Sequence, residues 1–305
     1  MAKITVIGSI NMDLVVKSDE IPKPGETLFG NELLQIPGGK GANQAVAMSR
    51  LGAEVSFLGK IGQDSFGEEL LKSMEESGID IGHIEKENIA TGIAVINVDK
   101  KGNNNIVVIA GANNQVDKLY LQRHIQAIAA SDAVVLQLEV PLETVKESLK
   151  IAKRLGKVTI LNPAPAMELD DFIIQNTDIL IPNEHELERL SGIKITDKAS
   201  ILRGAQRLLD KGVKKIIVTW GSKGVIYMDQ EGDRHFEAKK VQVIDTTAAG
   251  DSFIGGFTVS FLEDQNIEKA IDMGQSTAAL AIQKMGAQSS IPTRAEVENF
   301  MSQKN

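Results

Sequence analysis

Residues 133–161 read AVVLQLEVPLETVKESLKIAKRLGKVTIL. Ala133 to Leu138 is a short apolar run and predicts a buried strand. Leu142 to Leu155 carries helical periodicity, with Val145, Leu149 and Ala152 on one stripe. Val158 to Leu161 is again apolar and β-branched. Strand, helix and strand in this order make a parallel crossover unit. The pattern repeats in both directions. Ile4 to Ile7, Val55 to Leu58, Ile179 to Ile181 and Ile216 to Thr219 read as strands. Gly41 to Leu51, Ser65 to Ser77, Glu184 to Leu190, Ala199 to Lys211, Ser252 to Phe261 and Ile267 to Gln283 read as helices. The fold class is therefore α/β, a mainly parallel sheet flanked by helices on both faces.

Two stretches break the alternation. Residues 14–36 hold Pro22, Pro24, Gly25 and Gly30 between two apolar runs. Residues 92–110 hold two strand-like runs joined by Lys101-Gly102-Asn103-Asn104. Both read as antiparallel pairs inserted in the core. Together they make either plain surface hairpins or a small projecting sheet that covers a site. Residues 1–305 are expected to form one domain with this inserted lid. An exposed lid strand could pair with a second chain, so a homodimer through the lid is expected.

Composition bounds the function. The 33 basic and 41 acidic residues give a net charge of −8, and no Lys/Arg cluster offers a face for nucleic acid. Cysteine is absent, which excludes disulfides, a thiolate nucleophile and Cys-ligated metal. No apolar run reaches the length of a membrane span. Lys3 to Gly8 turns polar too soon for a signal peptide, so a cytoplasmic protein is expected. None of the four histidines has metal-ligand spacing.

Five segments carry candidate chemistry. Asp245-Thr246-Thr247-Ala248-Ala249-Gly250-Asp251 follows a strand-like run, Val241 to Ile244, and opens a helix. Its small residues leave the first helical N–H groups free for an anion. Asp251 beside that anion is either a base for an attacking hydroxyl or simply a helix N-cap. Gly38-Gly39-Lys40-Gly41-Ala42-Asn43-Gln44-Ala45 fails the Walker pattern, since Gly41 stands where Ser or Thr belongs. It either brings backbone close to a small ligand or is an unliganded turn. Gly8-Ser9-Ile10-Asn11-Met12-Asp13 follows the first strand. Asn11 and Asp13 alternate, so both can face one ligand, though Asn and Asp also favour plain turns. Asn183-Glu184-His185-Glu186 puts Asn183 and Glu186 on one helical face. They serve Mg²⁺ through water or merely start a helix. Thr219-Trp220-Gly221-Ser222-Lys223-Gly224 passes a nucleotide or begins a hairpin.

Taken in order, these segments resemble the ribokinase family of carbohydrate kinases, the PfkB-type sugar kinases. The resemblance runs from the first strand to Pro292. The glycine pair with Lys40 to Asn43 is similar to the family's N-terminal signature, and Asp245 to Asp251 to its C-terminal one. Asn162-Pro163-Ala164-Pro165-Ala166 and Gly286-Ala287-Gln288 extend the likeness. It implies ATP-dependent phosphorylation of ribose at its terminal hydroxyl, with Mg²⁺ and an activating K⁺. Asn11, Met12, Asp13, Gly39, Lys40, Gly41, Ala42, Asn43, Glu139 and Asp251 would meet the sugar. Asn183, Thr219, Trp220, Gly221, Ser222, Lys223, Gly224, Gly250 and Gln275 would line the ATP site. Glu186 would place Mg²⁺ through water. Ala248, Ala249 and Gly250 would form the anion hole, and Asp251 would be the base. Asp245, Thr247, Ala281, Lys284, Gly286 and Ser290 match positions that hold the monovalent cation. The alternatives are a kinase of fructose, deoxyribose or a nucleoside, or a non-catalytic sugar-binding regulator.

Overall fold

The computed structural model describes residues 1–303. Its strands are, in chain order, β1 (Lys3–Ile7), β2 (Asn11–Ser18), β3 (Glu32–Gly38), β4 (Glu54–Gly62), β5 (Ile84–Glu87), β6 (Gly92–Asp99), β7 (Asn104–Ile109), β8 (Ala133–Leu136), β9 (Val158–Leu161), β10 (Ile179–Leu180), β11 (Lys215–Thr219), β12 (Val225–Asp229) and β13 (Gly232–Phe236). Nine of them form the main sheet in the order β13-β12-β11-β10-β9-β8-β1-β4-β5. From β11 to β5 the pairing is parallel, and β12 and β13 close one edge antiparallel.

The central strands are apolar because both faces are covered. Along β8, Val135 packs into one hydrophobic core while Val134 and Leu136 pack into the other. The strand period of two sends successive residues to opposite faces. The helix Leu142–Arg154 buries Val145, Leu149, Ile151 and Ala152 and leaves its lysines outward. Each fully buried aliphatic side chain contributes about 1.5–3 kcal/mol. Thr5 sits in this interior because its hydroxyl donates to the Ala127 carbonyl at 3.0 Å.

The second sheet has four strands in the order β3-β2-β6-β7. The pairs β2–β3 and β6–β7 are antiparallel, and β2–β6 is parallel from Asn11 opposite Gly92. Every residue of β7 is exposed, including Ile106, Val107, Val108 and Ile109.

Two expectations about local structure change. Val241 to Ile244 forms no strand, and Val243 and Ile244 are exposed. It pairs with no strand among the described residues; the N–H of Ile244 bonds instead to the Ile282 carbonyl at 2.8 Å. The following helix spans Ala249–Asp264 and so starts before Ser252. No helix among the described residues is long and apolar enough to cross a membrane.

Candidate active site

The sheet carries the candidate residues to one edge. Ser9 follows β1, Glu139 follows β8, Asn162 follows β9, Asn183 follows β10, and Thr219 ends β11. These are carboxyl ends of parallel strands, and β1 lies between β8 and β4, where the order of strands reverses. Ligand crevices in open α/β sheets form at such a point.

The helix Ala249–Asp264 points its first turn into this crevice. Its N-cap, Ala248, has φ 57° and makes no side-chain cap. A left-handed alanine costs roughly 1–2 kcal/mol, so the preceding turn must be held from outside. Asp245 holds it: one carboxylate oxygen accepts from the Thr247 N–H at 2.9 Å and from Oγ1 at 2.6 Å, the other from the Gly286 N–H at 2.9 Å. The N–H of Ala249 donates to the Thr246 carbonyl, and that of Ser252 to Ala248. Between them, the N–H groups of Gly250 and Asp251 have no protein acceptor among the described residues. Asp251 is not a cap. It sits inside the helix, buried, and accepts from Asn43 Nδ2 at 3.1 Å and Gln44 Nε2 at 2.9 Å.

Charge is concentrated around Lys40. Burial alone would lower its ammonium, but Asp251, Glu139, Glu186 and Asp13 outweigh that and raise it. Asp13 is pushed up to about 7, first by burial, then by Glu139 and Asp251, with Lys40 opposing. Glu186 is also raised, chiefly by burial, against the Asn183 N–H and Lys40.

Asn11 and Asp13 project from β2, as their alternation predicts. The side chain of Met12 between them is enclosed in the core, because the pleat turns it to the other face. The Asn113 amide sets the orientation of Asn11. Its Oδ1 accepts the Ile10 N–H at 2.9 Å, so its Nδ2 must donate, to Asn11 Oδ1 at 2.7 Å. Asn11 Nδ2 is left free as a donor. Asn43 Oδ1 is a buried acceptor with no partner. Glu139 accepts from Ser9 Oγ at 2.5 Å and from the Lys40 N–H at 3.1 Å. Gly39 has φ 90°, and a Cβ there would lie 2.8 Å from Asn11 N. Only glycine allows the approach of these two segments.

On the other side lies a cleft of about 240 Å³, lined by Lys40, Asn162, Asn183, Glu186, Thr219 and residues 248–251 among others. Asn183 and Glu186 form a capping box, so the helix-start reading of this pair holds while Glu186 still lines the cleft. Thr219 to Gly224 turn tightly, with Lys223 Nζ 4.2 Å from the centre of the Trp220 ring. Gln275 stands apart from the cleft; its amide donates to the Phe236 and Glu237 carbonyls at 3.3 and 3.1 Å. Asp245 is joined directly to Gly286, as above. Ala281 accepts the Lys284 N–H at 3.1 Å, and Ser290 Oγ bonds the Ala287 carbonyl at 2.8 Å. Lys284 turns its ammonium to Glu296 at 3.1 Å.

Gln44, Asn113, Gln137 and Asn162 have structural roles here that the sequence reading did not give them. A faint signal existed for two. Gln137 interrupts the apolar run between Leu136 and Leu138, and Asn162 follows the apolar run of β9.

The model of the pfkB family of carbohydrate kinases matches residues 1–294. The chain is 44% identical to a ribokinase of Haemophilus influenzae, over 98% of either chain. It is 37% identical to a deoxyribokinase of Salmonella typhimurium, again over 98% of each. A solved ribokinase of Arabidopsis thaliana, complexed with ribose and ATP, superposes with a TM-score of 0.93 at 30% identity over 99% of both chains. With Asp251, Lys40 and the free helical N–H groups gathered in one crevice, these likenesses have a common cause: the chain belongs to the pfkB family of carbohydrate kinases.

Proposed function

We propose that the chain transfers the γ-phosphoryl group of ATP to the 5-hydroxyl of D-ribose, with Asp251 as the base. One observation carries this reading: Asp251 is buried beside two unpartnered N–H groups and bonded to Asn43, so it stands between an anion site and a hydroxyl site. The sugar oxygen forms a bond to phosphorus, the bond from phosphorus to the bridging oxygen breaks, and ADP leaves. Asp251 takes the hydroxyl proton as its oxygen attacks. The free N–H groups of Gly250 and Asp251, together with Lys40, stabilise charge on the transferred group. The expected hole at 248–250 does not act whole, since the Ala249 N–H is taken by Thr246.

Ribose is favoured over a deoxy sugar by the polar set around the pocket. Asn11 Nδ2 is an unused donor, Asn43 Oδ1 an unused acceptor, and Asp13 and Glu139 accept further. A site built to pair hydroxyls rejects an analogue that lacks one. Ribose, 2-deoxyribose, fructose and adenosine compared for ATP consumption should give ribose the highest kcat/KM. A higher value for any other would sink the ribose assignment, and no turnover of any would favour a sugar-binding regulator.

Asn183, Thr219 to Gly224 and Gly250 are the nucleotide side of this reading. Gln275 would act there only through residues 236–237, which it holds. Glu186 fits Mg²⁺ held through water, since its carboxylate is buried at the cleft and already anchored by Asn183. When bound, Mg²⁺ supplies neutralisation of phosphate charge. Burial would raise the Asp245 carboxyl, but the bonds from Thr247 and Gly286 outweigh it and lower it. The carboxylate so held fits a monovalent cation, with the carbonyls of Lys284 and Gly286 as further ligands in this reading. These two carbonyls accept no hydrogen bond among the described residues. Potassium should therefore raise kcat relative to a bulky organic cation at equal ionic strength; equal rates in both salts would remove the site.

The four-stranded sheet, which takes in the expected segments 14–36 and 92–110 and runs from Asn11 to Gly38 on its first side, serves within the one domain of 1–305 as a lid over the sugar in a cytoplasmic homodimer. The support is that Asn11 and Asp13 lie on it and that β7 leaves an apolar edge uncovered. Light scattering that returns the mass of one chain would refute the dimer.

A further inference from the structure

We propose that Gln44 is a positioning residue, which fixes the carboxylate of Asp251 through a polarised chain of buried amides. The proposal rests on Asp251 being the base, and its test is built so that the two ideas can fail separately.

The polarity of the chain follows from its far end. Asn162 Nδ2 lies 3.1 Å from the Ile181 carbonyl, which can only accept. Asn162 Oδ1 must therefore be the acceptor that faces Gln44 Nε2 at 3.2 Å. The second hydrogen of that Nε2 goes to Asp251 Oδ1 at 2.9 Å. Gln44 Oε1 accepts from Gln137 Nε2 at 2.6 Å. Both hydrogens of Gln44 Nε2 and its oxygen are thus committed, and no flip of the amide satisfies the same partners. Gln44 and Gln137 are wholly buried, and Asn162 and Asp251 nearly so. In such surroundings a donor that cannot turn away is worth more than one in water.

Asn43 gives Asp251 its second donor, at 3.1 Å, but holds it less firmly. Asn43 Oδ1 is buried without a partner, so that amide is free to turn. Gln44 is fixed from the Asn162 end, whose polarity the Ile181 carbonyl sets; Gln137 Oε1 is itself buried without a partner, so the Gln137 amide is oriented by Gln44. Gly8 belongs to the same arrangement, since a Cβ at that position would lie 2.1 Å from Gln137 Oε1. The glycine after β1 makes the room in which Gln137 grips Gln44.

The chain fixes the Asp251 carboxylate in place among charged neighbours. That carboxylate acts on Lys40 from the helix Lys40–Arg50, Asp13 from β2 and Glu186 from the helix Glu184–Ser191, while Glu139 after β8 acts on Asp13 and Lys40. Two of the three groups coupled to Asp251 are acids. Fixed N–H donors counter them by stabilising the anion.

Two variants test this. Gln44→Met keeps the length and removes the donor, and should lower kcat about 10- to 100-fold, the range of a hydrogen bond to a charged group. KM for ribose and ATP should stay within about threefold, since Gln44 touches neither. Gln44→Glu keeps the shape but faces Asp251 with a further acid, and should move the acidic limb of the kcat profile up by about one pH unit or more. In an Asp251→Asn background, Gln44→Met should cost nothing further in kcat. A folded Gln44→Met with parental kcat, a loss shared by KM and melting temperature alone, or an unmoved acidic limb in Gln44→Glu overturns the proposal. If Gln44→Met does not fold, the isosteric Gln44→Glu decides by its pH limb. High activity of Asp251→Asn itself would instead overturn the base assignment beneath it.

Discussion

Asp251→Asn is expected to lower kcat by about 10²–10⁴-fold, the usual loss when a general base is removed. The fold should survive, for a reason visible in the amides. The carboxamide oxygen introduced at position 251 would still accept from Gln44 Nε2. The new amide nitrogen would face Asn43 Nδ2, donor against donor, where Asp251 now accepts at 3.1 Å. Asn43 Oδ1 is buried and unpartnered, so a turn of that amide restores a donor–acceptor pair. The turn alters one contact to the sugar, and KM for ribose should rise by less than kcat falls. The interaction that is lost strengthens only as the hydroxyl is deprotonated, so it belongs to the transition state. An N-cap role predicts the opposite, because Asn and Asp are near-equivalent caps. A folded variant with kcat within a few-fold of the parent, checked by steady-state kinetics and circular dichroism, would show that Asp251 is not the base.

The main sheet was legible because its strands are buried on both faces. A run such as Ala133–Leu136 is then apolar throughout, Val158–Leu161 is interrupted only by Thr159, and the helix between them carries one apolar stripe. The same local rule failed at both margins. Val241 to Ile244 has the composition of a strand but pairs with no strand among the described residues. The edge strand β13, Gly232–Phe236, pairs with β12 yet shows no apolar alternation, because most of it faces water. Tertiary pairing, absent from any window of sequence, decides such cases.

The site divides in a similar way. Features that the backbone supplies leave a compositional trace. Gly39 must be glycine at φ 90°, where a Cβ would also meet the backbone of Asn11, and the chain turns left-handed at Ala248. Features made by side chains from distant segments leave almost none. Gln44, Gln137, Asn162 and Asp251 meet only because β8, β9 and two helices deliver them to one point. Met12 was assigned to the sugar by its place in a motif, and the pleat of β2 puts it in the core instead. Asn183 and Glu186 show that a structural role and a place at the cleft are compatible.

Asp13→Asn should stabilise the protein at alkaline pH and weaken its hold on ribose. Asp13 is raised from 3.8 to about 7, by burial first and then by Glu139 and Asp251. The sign follows from proton counting. Between those two values the folded state keeps the Asp13 proton and the unfolded state has lost it. Stability therefore falls as pH rises through this window, and the penalty is complete above about 7. At 1.36 kcal/mol per pH unit the full penalty is roughly 4 kcal/mol, an upper bound since Asp13 keeps some contact with solvent. Asparagine cannot ionise, so the variant escapes the penalty. Its melting temperature should match the parent near pH 4 and exceed it by several degrees at pH 8. The same change removes a charged acceptor from the proposed sugar pocket, and ribose affinity at pH 8 should drop by about 10- to 100-fold. Opposite movements of stability and binding are what a strained binding residue produces, whereas a residue that merely supports the lid would lose both together. Melting curves and ribose titrations at the two pH values distinguish the cases. A variant no more stable than the parent at pH 8 would mean that Asp13 is not held against its charge, and the origin of its place in the pocket would have to be sought in packing.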